Sequence, residues 1–268
     1  MSAILVVARG VFKESVRDRI GYNLVFFAVL LMAASILLAQ VTAGQDVKII
    51  KDLGLAAATA IGVLIAIFIG IGLVAKEVER RSIYSLLSKP ITRNQFILGK
   101  YLGLTFTLVA NLAVMVLAYY AVLVYLDWQT PDGVRQGWEA RAADPRLLLA
   151  FALIGVQLML VTALALFFST FSSTFLSAAL TLAVYVIGHF NADLKNLGRL
   201  VDSPVASAIG RALYYALPNL SVLDIKADVV HAHQIGLEQM LVGVLSAGLY
   251  IGLLLMGSVI VFSRRDFK

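Results

Sequence analysis

Long apolar stretches alternate with short polar ones along most of the 268-residue chain. Each apolar stretch is close to the roughly 17–25 residues that a helix needs to cross a hydrocarbon layer about 30 Å thick. The pattern therefore predicts an all-α polytopic membrane protein with six transmembrane helices in one domain. The predicted spans are Tyr22–Val41, Leu53–Ala75, Leu104–Leu126, Leu147–Ser169, Thr174–Phe190 and Met240–Phe262.

Two short stretches next to these spans have patterns of their own. "TFSST" at residues 170–174 separates the fourth span from the fifth. Because serine and threonine hydroxyls can bond to nearby backbone groups, this stretch predicts a tight turn rather than one long helix.

Residues 1–20 predict an amphipathic helix that lies in the cytoplasmic interface with its basic face toward lipid head groups. The alternative is a cytoplasmic extension of the first span. The apolar face comprises Ile4, Leu5, Ala8, Val11, Phe12, Val16 and Ile20, and the polar face Arg9, Lys13, Arg17 and Asp18.

Composition agrees with a membrane protein and excludes several kinds of site. Hydrophobic residues make up 60% of the chain and charged residues 14%, about half the charged share of an average soluble domain. The chain contains no cysteine, which excludes a disulfide scaffold, a thiolate metal site and a cysteine nucleophile. The N-terminal residues are not expected to form a signal peptide, since their short apolar piece precedes the charges.

The distribution of charge predicts the orientation of the spans. With both termini and the loop at residues 76–103 on one side, that side has 13 of the 22 Lys and Arg and five of the 16 Asp and Glu. The opposite side keeps nine basic and eleven acidic residues. Cytoplasmic loops carry the excess of Lys and Arg, so both termini are expected in the cytoplasm. The high isoelectric point is thus explained by topology, and nucleic-acid binding is not expected.

The loop at residues 76–103, "KEVERRSIYSLLSKPITRNQFILGKYLG", has more internal order than a solvated loop needs. Residues 76–88 are good helix formers, and Pro90 restricts Lys89 to extended backbone and ends that helix. Thr92 and Gln95 form a capping box that starts the next helix. The predicted shape is helix, elbow, helix, with "SKPIT" projecting into the cytoplasm. It predicts a docking surface for another protein; the alternative is a solvated loop.

This loop resembles the cytoplasmic loop between the second and third spans of permease subunits of type-2 ABC exporters. The resemblance rests on the acidic pair, the "LLSKPITR" turn and the "GKYLG" entry to the third span. "LPNLSVLD" at residues 217–224 and the terminal "RRDFK" are also similar to that family. The resemblance implies that the loop is a coupling helix received by a separate ABC ATP-binding subunit. The implied coupling residues are Glu77, Glu79, Arg80, Arg81, Lys89, Pro90, Thr92 and Arg93.

The chain is not expected to hydrolyse ATP itself. A P-loop needs the sequence G-x-x-x-x-G-K-[ST]. This chain has the Gly-Lys pair at Gly99 and Lys100, but Asn94 stands in place of the first glycine and Tyr101 in place of the Ser or Thr. We therefore expect no catalytic residues, metal or cofactor in this chain, with ATP and Mg²⁺ on the partner ATPase.

The resemblance further implies two membrane halves, as a homodimer or with a paralogue. The first, second and fifth spans are expected at that interface, and Gly62, Gly70, Gly72, Ser177, Ala178 and Ala179 are the small residues that favour close approach.

The external loop at residues 192–239 contains an apolar stretch between Pro204 and Pro218 that is too short to span. It predicts a re-entrant or interfacial helix that serves as an external gate, with membrane lipid around it. The gate residues are Ile209, Leu213, Tyr214, Tyr215 and Pro218.

Polar residues elsewhere give weaker signals. Two polar residues within the spans, Asn111 in the third and Gln157 in the fourth, are expected to bond between helices; the alternative is that they line a pathway. His189, Asn191 and Asp193 do not share a helix face and are not expected to form a catalytic trio. Asp228, His231 and His233 could reach one metal ion, but without a defined ligand pattern no metal site is expected.

Two classes of function follow. The favoured one is a multi-pass subunit of an ATP-driven exporter in the cell (inner) membrane; the alternative is a membrane-embedded non-transport protein, such as an enzyme or an assembly factor. The substrate does not follow from the sequence, because an apolar cavity lining suits lipids, drugs, peptides and glycans alike.

Overall fold

The computed structural model describes residues 3–17, 19–39, 46–79, 92–138, 140–194, 204–231, 233 and 236–264. Long helices dominate these ranges, as the apolar pattern predicts. Four of them are long and apolar enough to cross a membrane, with candidate spans at Val47–Gly72, Arg93–Gln129, Arg146–Ser169 and Leu237–Arg264. The helices are α1 (Ala3–Val16), α2 (Arg19–Ala39), α3 (Asp46–Glu79), α4 (Arg93–Gln129), α5 (Asp132–Arg135), α6 (Arg146–Ser169), α7 (Thr174–His189), α8 (Asn191–Leu194), α9 (Pro204–Ala216), α10 (Lys226–Val230) and α11 (Leu237–Arg264), with a 3₁₀ turn at Ser221–Leu223.

The predicted first and fifth spans are also helical. They correspond to α2 and α7, whose apolar stretches, Leu24–Ala34 and Thr174–His189, are shorter than the other four. A helix of 16 residues rises about 24 Å, less than the hydrocarbon thickness of roughly 30 Å. The turn predicted between α6 and α7 is confirmed. The Thr170 hydroxyl donates to the Phe167 carbonyl at 2.6 Å, and the Ser173 side chain caps α7 by accepting from the Leu176 N–H.

The bundle is built around α3 and α6. Both helices are largely buried within the described residues, whereas α4 and α11 expose most of their apolar surface. α3 contacts α2, α4, α6 and α7, and α11 packs on α6 and α4. A helix that is apolar on most of its surface suits this central position, because other helices cover most of it.

Glycines in α3 set its distance from α6 and correct one expectation. A Cβ at Gly62 would lie 2.7 Å from Leu158 Cδ1, and one at Gly70 would lie 3.3 Å from the Ala165 Cβ. Both glycines therefore face α6 of the same protomer, and their predicted place in a subunit interface is wrong. Small residues permit close approach between helices, but periodicity alone does not identify the partner helix.

The N-terminal helix α1 is separate from α2, which confirms the predicted break between them. It packs lengthwise on the start of α4. Ala8, Val11 and Ser15 are buried there, whereas Leu5 is 48% exposed and Val16 is 36% exposed. The predicted apolar face is thus only partly correct, since Leu5 and Val16 are exposed and Ile20 belongs to α2.

Gly99 and Gly103 make this contact between α1 and α4 possible. A Cβ at Gly103 would lie 2.6 Å from the Ala8 carbonyl oxygen, and one at Gly99 would lie 2.7 Å from the Val7 Cβ. The two glycines are four residues apart on one face of α4, the spacing that lets helices approach closely in membranes. "GKYLG" therefore places the N-terminal helix against α4.

We expect Gly103→Ala to destabilise the protein by about 1–3 kcal/mol, because the new methyl group collides with backbone that cannot move without shifting α1. The matched control is Gly10→Ala in α1, where a Cβ meets nothing within 4 Å. The control should be neutral or stabilising by up to about 1 kcal/mol, since alanine favours helix over glycine. Unfolding of both variants in the same detergent measures the difference. Equal stability of the two would contradict the packing described here.

Candidate coupling site and external segment

The loop that separates α3 from α4 is described at both of its ends. α3 continues as one helix through Glu77 to Glu79; the side chains of these two residues lie outside the described part. Arg80, Arg81, Lys89 and Pro90 also lie outside the described residues, so the elbow stays a prediction. The helix start after the elbow is confirmed. The Gln95 N–H donates to Thr92 Oγ1 at 3.4 Å, and the Thr92 N–H donates to Gln95 Oε1 at 3.1 Å.

Arg93, the first residue of α4, contacts the C-terminal end of α11. Its guanidinium donates to the carbonyl oxygens of Phe262, at 3.4 Å, and of Ser263. The last carbonyls of a helix lack partners within the helix and carry partial negative charge, so an arginine there is favourable. The resemblance implied a coupling role for Arg93 but gave no sign of this partner, which lies about 170 residues away in the chain.

Aromatic packing extends the same contact. The Phe96 and Phe262 rings stack with centroids 5.8 Å apart, and Lys100 Nζ lies 5.1 Å from the centre of the Phe96 ring. α1, the start of α4 and the end of α11 therefore lie at one end of the bundle. The charge distribution predicts the same grouping.

The external segment, Pro204–Pro218, contains the helix that the sequence predicts. α9 has 13 residues and ends at Ala216, which is too short to span. Of the predicted gate residues, Ile209 is 52% exposed and Tyr215 is 76% exposed. Leu213 and Tyr214 are half-buried, whereas Pro218 is buried.

The end of α9 is held by side chains from two other helices. The Asn191 amide donates to the carbonyls of Tyr214 and Leu217, at 3.3 and 3.4 Å. The Tyr250 hydroxyl of α11 contacts the carbonyls of Tyr215 and Leu217, at 3.3 and 3.2 Å. These carbonyls are the groups that a helix end leaves unpaired, so Asn191 and Tyr250 act as a C-terminal cap.

After Pro218 the chain enters the bundle instead of crossing its surface. Leu220 and Val229 are fully buried, and Leu223 is nearly so. The Leu220 N–H donates to the Gly188 carbonyl at 3.0 Å, and Gly243 of α11 leaves room for Val222. The stretch from Leu220 to Val230 thus fills the space among α3, α6, α7 and α11, a role that the sequence did not predict.

One ion pair anchors this inserted stretch. Lys226 Nζ lies 3.2 Å from Asp224 Oδ2 and 3.5 Å from the Thr59 hydroxyl of α3. Both charged side chains are partly exposed, at 22% and 29%. A pair with this exposure contributes modestly to stability. The contact of Lys226 with Thr59 links α10 to α3.

One pair of polar side chains joins α6 to α7. Gln157 of α6 is buried, and its Nε2 lies 3.0 Å from His189 Nε2. His189 Nδ1 lies 3.0 Å from the Tyr185 carbonyl. Because a carbonyl only accepts, Nδ1 carries the proton and Nε2 accepts from the Gln157 amide. The interhelical role predicted for Gln157 is confirmed, whereas the same role for Asn111, which is half-buried, stays a prediction. His189 and Asn191 make separate contacts, and the side chain of Asp193 lies outside the described part.

The three external residues considered for metal binding are close together but not arranged around one point. His233 Nδ1 lies 3.5 Å from Asp228 Oδ1, and the His231 and His233 rings stack with centroids 5.9 Å apart. Within the described residues, no group of three or more metal-ligating side chains could hold a metal ion. The cluster is therefore an exposed set of polar contacts.

Comparison with known proteins identifies the family. The model for the ABC-2 family transporter protein matches residues 5–194, which extend from α1 through α8 and include the loop between α3 and α4. No curated protein matches the chain significantly. The match covers well over half of the chain, and it includes the capping box and the glycine contact described above. The chain therefore belongs to the ABC-2 transporter family.

Proposed function

We propose that this chain is the membrane-spanning subunit of an ATP-driven exporter in the cell (inner) membrane. Membership of the ABC-2 family implies association with an ABC ATP-binding subunit. In this proposal that subunit binds ATP and Mg²⁺, and the present chain holds no catalytic site, metal or cofactor and binds no nucleic acid. α2 and α7 complete a set of six spans, and both termini lie in the cytoplasm.

The observation that carries the proposal is the rigid support of the coupling loop. α3 has 34 residues and α4 has 37, so they are about 51 and 55 Å long, well beyond a hydrocarbon layer of roughly 30 Å. α3 is central in the bundle, and the start of α4 is clamped by α1 and by α11. A force applied between Glu79 and Thr92 therefore reaches several helices at once.

The proposed coupling surface can be tested by charge reversal. We expect Glu77→Lys combined with Glu79→Lys, or Pro90→Ala alone, to leave membrane insertion intact and to abolish the stimulation of ATP hydrolysis in the assembled complex. The reason is that both changes alter the surface offered to the ATP-binding subunit. ATPase assays on purified complexes in nanodiscs measure the effect. Asp127→Lys combined with Asp132→Lys at the opposite end is the matched control, and normal stimulation in the loop variants would exclude the coupling role.

We also propose that two membrane halves meet through α2, α7 and a narrow stripe of α3. Every fourth residue of α3 from Ala56 to Phe68 lies on one outward stripe. Ala56, Ala60 and Phe68 are exposed there, and Leu64 is half-buried. In α7, Phe175 is 84% exposed, and Ala179 is also exposed. Since Gly62 and Gly70 face α6, this stripe is the part of α3 that remains for a second copy.

Cysteine cross-linking tests this interface on the natural cysteine-free background. Cysteines at Ala60 and Ala179 should cross-link between protomers in membranes, because small side chains there permit close approach. A cysteine at Leu117 of α4, which is 71% exposed, should face lipid and remain uncross-linked. Cross-linking through Leu117, with none through α3 or α7, would contradict the interface.

The external segment is proposed to close the exit from the cavity between the halves. A charged residue at Ala208 or Ala212 should lower export while leaving basal ATP hydrolysis largely intact, because the apolar seal is lost. An impermeant thiol reagent added outside should label cysteines at both Ser203 and Asn219. Labelling of these two positions from opposite sides of the membrane would show that the segment spans, and the six-span topology would then be wrong.

A further inference from the structure

The last span, α11, is held by two other parts of the chain at two levels. At its cytoplasmic end Arg93 and Phe96 of α4 bind Phe262 and Ser263. Near its middle Tyr250 binds the end of α9. Phe262 and Tyr250 are 12 residues apart, or about 18 Å along a helix. One continuous helix therefore connects the end of the coupling loop to the external segment.

The cytoplasmic contact is suited to transmit force. A guanidinium on helix-terminal carbonyls is a charge-assisted contact, and the stacked Phe96–Phe262 pair resists lateral sliding. The hydrogen bonds go to backbone rather than to another side chain. A displacement of Arg93 therefore acts on the backbone of α11 directly, with no partner side chain that could rotate away.

The opposite face of α11 offers little resistance to movement. Its outward leucines, Leu241, Leu245, Leu249 and Leu253, are between 56% and 72% exposed. Gly248 and Gly252 lie on open space, where an added Cβ would meet nothing within 4 Å. α11 packs on α6, α4 and the 3₁₀ turn at Ser221–Leu223, and its few buried residues face them. It can tilt or slide more easily than α3, which other helices surround.

We propose that Arg93 and Tyr250 are positioning residues that make α11 the link between the ATPase-coupling loop and the external segment. This inference rests on the proposed function, in which the loop receives the ATP-binding subunit. Movement at Thr92 shifts Arg93, Arg93 displaces the end of α11, and Tyr250 carries the end of α9 with it. The external segment then opens or closes in step with nucleotide binding.

The first part of the experiment tests the clamp in the chain alone. Spin labels at Asn94 and Arg264, both exposed, report the separation of α4 and α11 in nanodiscs by electron paramagnetic resonance. Arg93→Gln should lengthen and broaden the distances, whereas Arg93→Lys, which keeps a charged donor, should largely preserve them. Arg9→Gln, at an exposed arginine of α1, is the matched control. Distances that stay unchanged in Arg93→Gln would overturn the proposal.

The second part uses the complex with the ATP-binding subunit that co-purifies from host membranes. Cysteine at Ile209 is labelled by an impermeant maleimide with and without vanadate-trapped nucleotide. In the parent protein the trapped nucleotide should change the labelling rate by about threefold or more. Arg93→Gln and Tyr250→Phe should each remove this dependence, and the double variant should behave like either single one. Basal ATP hydrolysis and subunit binding should persist in Tyr250→Phe, and Arg9→Gln should keep the full response.

The outcomes separate the link from the proposed function. A full nucleotide response in Arg93→Gln, with the clamp shown to be open by the spin labels, would overturn the link. So would additive losses in the double variant, because they indicate two independent routes. If no ATP-binding subunit co-purifies with the parent chain, the proposed function itself fails, and the transmission that depends on it fails too.

Discussion

The hydrocarbon core of a membrane offers no hydrogen-bond partners to the backbone, and this constraint governs the protein. Every N–H and C=O at that depth has to be satisfied within the chain, so helices are the natural solution here. Where a helix ends inside the bundle, other groups have to replace the missing partners. α9 shows the consequence, because Asn191 and Tyr250 bind the carbonyls at its end. Arg93 does the same for α11 at its C-terminal end.

Close approach between helices is achieved with glycine at each important crossing. Gly99 and Gly103 bring α1 against α4, Gly62 and Gly70 bring α3 against α6, and Gly243 admits the inserted stretch against α11. In lipid there is little hydrophobic gain when helices associate, so packing and hydrogen bonds have to supply the association energy. The glycines increase that contact area. The same principle explains why several of them are used within the protomer.

The two ends of the bundle are connected through buried packing. Gln157 and His189 hold α6 to α7, and Lys226 links α10 to Thr59 of α3. These contacts favour movement of helices as rigid bodies, in agreement with a membrane subunit of an ABC transporter.

The sequence by itself determined the helices, the charge bias and the local signals. The turn at "TFSST", the capping box at Thr92 and the 13-residue helix after Pro204 follow from hydrogen bonding and backbone geometry over a few residues, and the structure confirms all three. Which helix packs on each face of a given helix is known only from the tertiary structure. Nothing near Gly62 in the chain indicates that it faces α6, and nothing near Arg93 indicates Ser263 as its partner. The helix period shows which residues share a face, but every apolar face is equally compatible with lipid, with another helix or with a second subunit, and only the packing of the whole chain chooses among them.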